Sequence, residues 1–184
     1  MNVPEAIKRG RMNRSVCSVL MGISFALAMP LHATDKPVHA SAAPVDTHAS
    51  ARAELGQLVE AFRHAMLVKD GGAIRGMFLP GGSWFKVLDP ASLAAARAKN
   101  PEAKQLNPGS YEDLAKFLAT TPASIEETFE NVRIETDGTA GMVWFDYRFI
   151  SDGKQDHHGV ETWQVVRESD GWKISAMLYS VSPG

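Results

Sequence analysis

Apolar positions along the chain change their period once, near residue 123. Before it they recur at three and four. Leu55, Leu58, Val59, Phe62 and Met66 form one stripe, which predicts an amphipathic helix over about 50–70 with Ser50 as its cap and Gly71-Gly72 as its stop. A shorter helical stretch carries Ile74, Met77 and Phe78, and Pro80-Gly81-Gly82 breaks it. Ser83–Leu88 reads as a short strand, and the Ala-rich segment 90–108, with three prolines, as part helix and part loop. Ser110 and Asp113 resemble a capping box before a helix with Tyr111, Leu114, Ala115 and Leu118 on one side.

After residue 123 the period is two. Strands are predicted at about 124–136, 139–151, 155–168 and 172–181. Asp137-Gly138, Asp152-Gly153 and Asp170-Gly171 separate them, and Asp-Gly between alternating runs signals a tight hairpin. Helices followed by a strand meander predict an α+β domain, one sheet with helices on one face.

Taking Asp152-Gly153 as a two-residue loop sets a register in which Trp144 faces Glu161, Asp146 faces Gly159, Arg148 faces His157 and Met142 faces Trp163. Taking Asp170-Gly171 as the next loop sets Trp163 against Leu178, Glu161 against Ser180 and Glu168 against Lys173. Two faces result. The first gathers Met142, Trp144, Asp146, Arg148, His157, Glu161 and Trp163. The second carries Val143, Phe145, Tyr147, Phe149, Val160, Met177 and Tyr179 and is strongly apolar. Helices over one face and a second subunit over the other would account for both.

The first 33 residues differ in kind. Lys8, Arg9, Arg11 and Arg14 precede an uncharged run from Val16 to Leu31, and Ala33 is a small residue suited to a cut, with Ala40 as a second choice. This is the pattern of a secretory signal, and the run is short against the roughly 20 residues that span a bilayer. The chain is therefore expected to be periplasmic or secreted and, once cut, to have no stable membrane anchor. Residues 34–49 read as a flexible spacer and 50–184 as the domain. The one cysteine, Cys17, falls inside the leader. Loss of the leader leaves 15 basic and 20 acidic residues, a formal charge of about −5, which argues against nucleic acid as a partner. His157 and His158 are adjacent on a strand and point to opposite faces, so no metal is assigned. No phosphate-binding glycine loop occurs, so no cofactor is assigned.

Ala140–Phe149 (AGMVWFDYRF), Asp152-Gly153-Lys154, His158–Val166 (HGVETWQVV), Gly171–Ile174 (GWKI) and Tyr179-Ser180 resemble the carboxy-terminal strands of nuclear transport factor 2-like proteins, among them the SnoaL-like cyclases. The helix with Leu55, Val59 and Phe62 and the Lys69-Asp70 region fit the same plan. The resemblance covers residues 50–181. It implies a cone-shaped, cystatin-like fold with a curved antiparallel sheet wrapped around an amino-terminal helix, a pocket at its open end, and dimerisation through the outer sheet face.

On that plan the first face would be the pocket floor. Asp146 and Glu161 are the carboxylates placed to move protons, since an apolar setting raises a carboxyl pKa toward neutrality. His157, Arg148 or Tyr179 would be donors. Trp144, Trp163, Arg148 and Met142 would hold a small apolar or aromatic ligand, with Trp84 and Tyr111 at the rim. Arg148 paired with a carboxylate simply to brace the sheet is the competing account. The function expected is a small-molecule-binding domain, with cofactor-free isomerase, cyclase or dehydratase chemistry if it is an enzyme. The alternative is a non-catalytic dimeric module that binds a protein.

Overall fold

The structure, a computed structural model, describes residues 47–184. The predicted leader, its cleavage sites and most of the spacer lie outside the described residues. The elements run α1 (Ala49–Val68), α2 (Gly71–Met77), β1 (Phe78–Leu88), α3 (Pro90–Lys99), β2 (Leu106–Pro108), α4 (Tyr111–Thr120), β3 (Ile125–Thr136), β4 (Ala140–Ser151), β5 (Lys154–Glu168) and β6 (Gly171–Pro183). The strands form one sheet in the order β2-β1-β6-β5-β4-β3. Every pair is antiparallel except β1 with β6.

The long helix α1 buries the predicted stripe, with Leu55, Val59, Phe62 and Met66 all at 2% exposure or less. Its ends differ from expectation. Ser50 lies within the first turn and bonds Glu54, and His48 holds the cap position. The helix stops at Lys69, which adopts the left-handed conformation at φ 58°. A lysine stands there because its ammonium donates to the carbonyls of Thr121 and Ala123, each at 3.1 Å. Gly71 serves a different purpose. A Cβ at that position would lie 2.4 Å from the Ala115 carbonyl oxygen, so the glycine lets α2 approach α4. Asp70, Asp89 and Ser110 cap α2, α3 and α4 by accepting the N–H groups of Ala73, Ser92 and Asp113.

The four strands after residue 123 begin and end within two residues of the predicted bounds, whereas β1 starts at Phe78 rather than Ser83 and runs through Pro80-Gly81-Gly82, and β2 arises in the segment read as helix and loop. The register of the meander also departs from expectation. The Asp152-Gly153 loop forms as expected, with positive φ at both residues, and sets Ser151 opposite Lys154 and Ile150 opposite Gln155. Asp156 is then an extra residue on β5. Beyond it His157 faces Phe149, Gly159 faces Tyr147, Glu161 faces Phe145 and Trp163 faces Val143. One bulged residue moves a whole strand to the other face relative to its partner. The third hairpin also departs: Glu168 pairs Gly171 around a Ser169-Asp170 loop, so Lys173 bonds Asp170 at 3.0 Å rather than Glu168. A second bulge at Ser175 then brings Met177 opposite Trp163 and Tyr179 opposite Glu161. A third, at Asn131-Val132 with Asn131 at φ 54°, interrupts β3. Bulges bend strands and increase twist, which gives the sheet its curvature.

The consequence is a correction to both predicted faces. Val143, Phe145 and Tyr147 are buried with Trp163, Val165 and Met177 against α1, so this apolar set is the core and not a dimer surface. Phe62 packs on Trp163 with ring centroids 5.1 Å apart, and Phe145 meets Trp163 edge-on at 5.2 Å. The even-numbered residues of β4 turn outward.

Candidate functional site

The inner face of the sheet can be read in cross-strand rows. One row runs Phe145, Glu161, Tyr179, Lys86; another runs Glu127, Phe149, His157, Pro183. Between these rows and the helices α1 and α4 lies a cavity of about 150 Å³. Phe62, Met66, Leu114 and Phe117 close it from the helical side; Trp84, Glu127, Tyr147, Phe149, His157, Glu161, Met177 and Tyr179 line it from the sheet.

Two carboxylic acids in this apolar enclosure are its chemical signature. Glu127 is 6% exposed and Glu161 4% exposed, the only buried charged residues among those described. Burial pushes both carboxyls up from the usual range, because a charge is costly away from water. Glu161 rises to about 7, its shift moderated by the Trp163 indole N–H, which donates to its carboxylate at 2.5 Å. Glu127 goes well above its ordinary value, through burial first and the negative charge of Glu161 second. The two carboxyls therefore do not ionise together near neutrality. Glu127 keeps its proton while Glu161 is poised to gain or lose one.

Donors surround the pair. Burial raises the hydroxyls of Tyr147 and Tyr179 above the usual phenol range, so both stay protonated. Tyr147 donates its proton to the Ser180 carbonyl at 2.7 Å, while Tyr179, hydrogen-bonded to Trp84, also lines the cavity. His157 stacks on Phe149 at 4.8 Å between centroids, and its Nδ1 lies 2.8 Å from the Asp156 carboxylate. A ring whose Nδ1–H donates to Asp156 presents Nε2 as its other polar atom.

Of the residues predicted for the site, Glu161, His157 and Trp163 are on this inner face. Asp146, Arg148, Trp144 and Met142 are on the outer one, because the Asp156 bulge shifts β5 by one residue against β4. There Asp146 accepts from the Asn131 amide at 2.7 Å, and Arg148 is clamped by the Glu130 carboxylate. The Arg133 guanidinium covers the Trp144 ring at 4.7 Å, and Met142 is exposed. Trp84 lines the cavity as expected, whereas Tyr111 stacks on Phe78 in the core, 4.8 Å between centroids. His157 and His158 do point to opposite faces, His158 lining an outer groove with Asp146 and Ser182. Glu127 was missed. Its signal is legible: it stands between Ile125 and Phe129 in the apolar phase of its strand, where a solvated face would place no carboxylate among aromatics.

No protein-family model matches the sequence, and comparison with curated proteins finds no relative. Solved structures do resemble it. A function-unknown protein from Mycobacterium tuberculosis superposes with a TM-score of 0.57 at 13% identity, over 76% of each chain. A candidate scytalone dehydratase from Novosphingobium aromaticivorans gives 0.57 at 12% identity over 74% of this chain and 87% of its own. A candidate dehydratase of the NTF2-like family from Streptomyces avermitilis gives 0.54 at 19% over 73% and 98%. The chain has the NTF2-like, cystatin-like α+β fold expected from its sequence.

Proposed function

We propose that this domain binds a small molecule in the inner cavity and moves a proton on it without a cofactor, with Glu161 as base and Glu127 as acid. The observation that carries the proposal is the pair of buried carboxyls facing one apolar cavity. Glu161, near half-ionised at neutral pH, has the affinity for protons that general-base catalysis requires. Glu127, held protonated, can return a proton to an oxygen that becomes negative or leaves. In a dehydration, Glu161 would take the proton from the carbon next to a carbonyl. The hydroxyl on the neighbouring carbon would leave as water with the Glu127 proton, and solvent would reset the pair. Tyr179 and His157 are the groups placed to hold the carbonyl oxygen as charge builds on it. Two structural neighbours described as candidate dehydratases support this class of chemistry. The protein-binding alternative has less to stand on, since the cavity is not filled by its own side chains.

A substrate-free test exists. 5-Nitrobenzisoxazole opens when a base removes its one acidic C–H proton: the N–O bond breaks and a coloured cyanophenolate leaves. The protein is expected to accelerate this elimination, with a rate that rises as pH passes about 7. The variant Glu161→Gln should lose at least about 100-fold, the scale of a positioned general base. A rate unchanged in Glu161→Gln would remove the base assignment.

We further propose that the protein is exported and that it pairs with a second copy through the outer sheet face. Phe85 and Leu178 are neighbours in one row across β1 and β6, exposed at 37% and 45%, and Met142, on β4, is exposed on the same outer face. Light scattering is expected to give twice the subunit mass, reverting to one subunit in Leu178→Glu. A single-subunit mass for the unaltered chain would exclude the pairing.

A further inference from the structure

Lys86 is the one lysine on the inner face of the sheet whose row contains Glu161. Its register partner is Tyr179, and Tyr179 is in turn the partner of Glu161. It is half-buried, yet among the described residues its ammonium has neither an ion pair nor a side-chain hydrogen bond. Two grooves meet at this residue. One, of about 590 Å³, runs under α3 between Leu88, Ala95, Val181 and Lys99 and reaches His157 and Tyr179. The other, of about 350 Å³, passes Trp84, Pro108, Leu114 and Phe117 and also reaches Tyr179. Both touch the inner cavity through side chains they share with it, and both include Lys86.

The charges in the α3 groove are unbalanced. Its lining has two ammonium groups, Lys86 and Lys99, against one carboxylate, Asp156, and that carboxylate is engaged by His157. Asp89, at the start of α3, is turned to the Ser92 N–H. In the second groove Lys86 is opposed by Asp113. Apart from Ser92, His157 and Tyr179, the rest of the α3 groove is apolar, and α3 itself buries no residue. A lysine stem can lie along such a wall with its head at the wet end. That end is where the charge of a ligand would sit if its apolar part entered a cavity of benzene-like size.

We propose that the ligand is an amphipathic carboxylate: an apolar ring or short chain in the inner cavity, and an anionic group held outside by Lys86, assisted by Lys99. This deepens the assignment of the cavity as the reactive site and rests on it. It also gives the reaction a direction, since the charged end cannot pass the apolar enclosure and the end opposite the carboxylate must meet Glu127 and Glu161. Carboxylate recognition by a half-buried ammonium is a charge-assisted hydrogen bond, stronger than a neutral one.

The probes are 4-phenylbutanoate and its uncharged amide, 4-phenylbutanamide, titrated calorimetrically against the full chain. The acid is expected to bind at least about tenfold more tightly than the amide, the scale of one hydrogen bond to a charged group. That preference should shrink in high salt. It should vanish in Lys86→Gln with Lys99→Gln and survive in Lys86→Arg. Equal affinity for acid and amide would overturn the inference, as would no binding of either or a preference that persists in the double glutamine variant. 5-Nitrobenzisoxazole carries no carboxylate for Lys86 to hold, so its elimination judges the carboxylate pair separately from this lysine.

Discussion

Folding stability is expected to fall as the pH rises from about 5 to 8, the reverse of the trend set by carboxylates in salt bridges. Glu161 in the folded chain has its pKa raised to about 7 from an ordinary value of 4.5. Between these values the folded state holds a proton that the unfolded chain has released. Stability falls with pH wherever the folded state binds more protons. The contribution is therefore complete below about 4.5 and lost as pH climbs through about 7, a loss of about 3 kcal/mol for a shift of this size. Glu127 acts in the same direction, since its carboxyl is also raised by burial and by the charge of Glu161. The variant Glu161→Gln keeps an oxygen for the Trp163 indole and has no proton to lose. Its urea midpoint should exceed that of the unaltered chain at pH 8, and its pH dependence should be flatter. A midpoint that rises from pH 5 to 8 in the unaltered chain would contradict the burial of ionisable carboxyls. Glu54, Asp89, Asp137 and Asp170 have lowered values and work in the opposite sense, but below the pH range used.

Replacement of Trp163 is expected to have the largest effect on stability. The side chain is wholly buried and touches Phe62, Phe145 and Phe129 at centroid distances of 5.1, 5.2 and 6.5 Å. Trp163→Ala opens a hole between α1 and the sheet, which typically costs about 3–5 kcal/mol for an aromatic residue. It also strands the Glu161 carboxylate without its donor. Trp163→Phe separates the two effects. It keeps most of the packing and removes only the N–H, so Glu161 should titrate higher still and the elimination rate should require a higher pH. Chemical denaturation of both variants checks this. An alanine variant as stable as the parent would mean that α1 and the sheet do not meet at this residue.

The sequence made the elements legible because periodicity is local. The stripe Leu55, Val59, Phe62 and Met66 can only be one face of a helix, and the Asp-Gly pairs mark where strands turn back. Two of the residues that line the cavity, Glu161 and His157, were legible for the same reason, as ionisable groups in phase with Trp163 on one strand. What could not be read was how strands pair across the sheet. Alternation is unchanged along β5 by the extra residue Asp156, yet the partner of every residue beyond it moves by one. That single residue carried Asp146, Arg148, Trp144 and Met142 to the outer face, and brought Tyr147, Phe149 and, one strand further, Glu127 into the cavity. The bulge at Ser175 did the same for Tyr179, which the two-residue loop at Asp170-Gly171 had assigned to the opposite side. Bulges depend on the balance of a whole ladder and the core beneath it, and no local residue pattern here announces them.

Whether the two buried carboxyls hold their protons can be read by carbon-13 NMR of the chain labelled at the glutamate side-chain carboxyls. It records the titration of each carboxyl, with Glu127→Gln and Glu161→Gln assigning the two that matter. Two carboxyl signals are expected to keep the protonated position well above the ordinary value of 4.5, and that of Glu161 is expected to titrate near 7. Glu161→Gln is further expected to move the Glu127 signal downward in pH, since the opposing charge is gone. If every glutamate titrates near the ordinary value of 4.5, the two carboxyls are solvated, the cavity is not the enclosure described, and neither glutamate is held ready to exchange a proton.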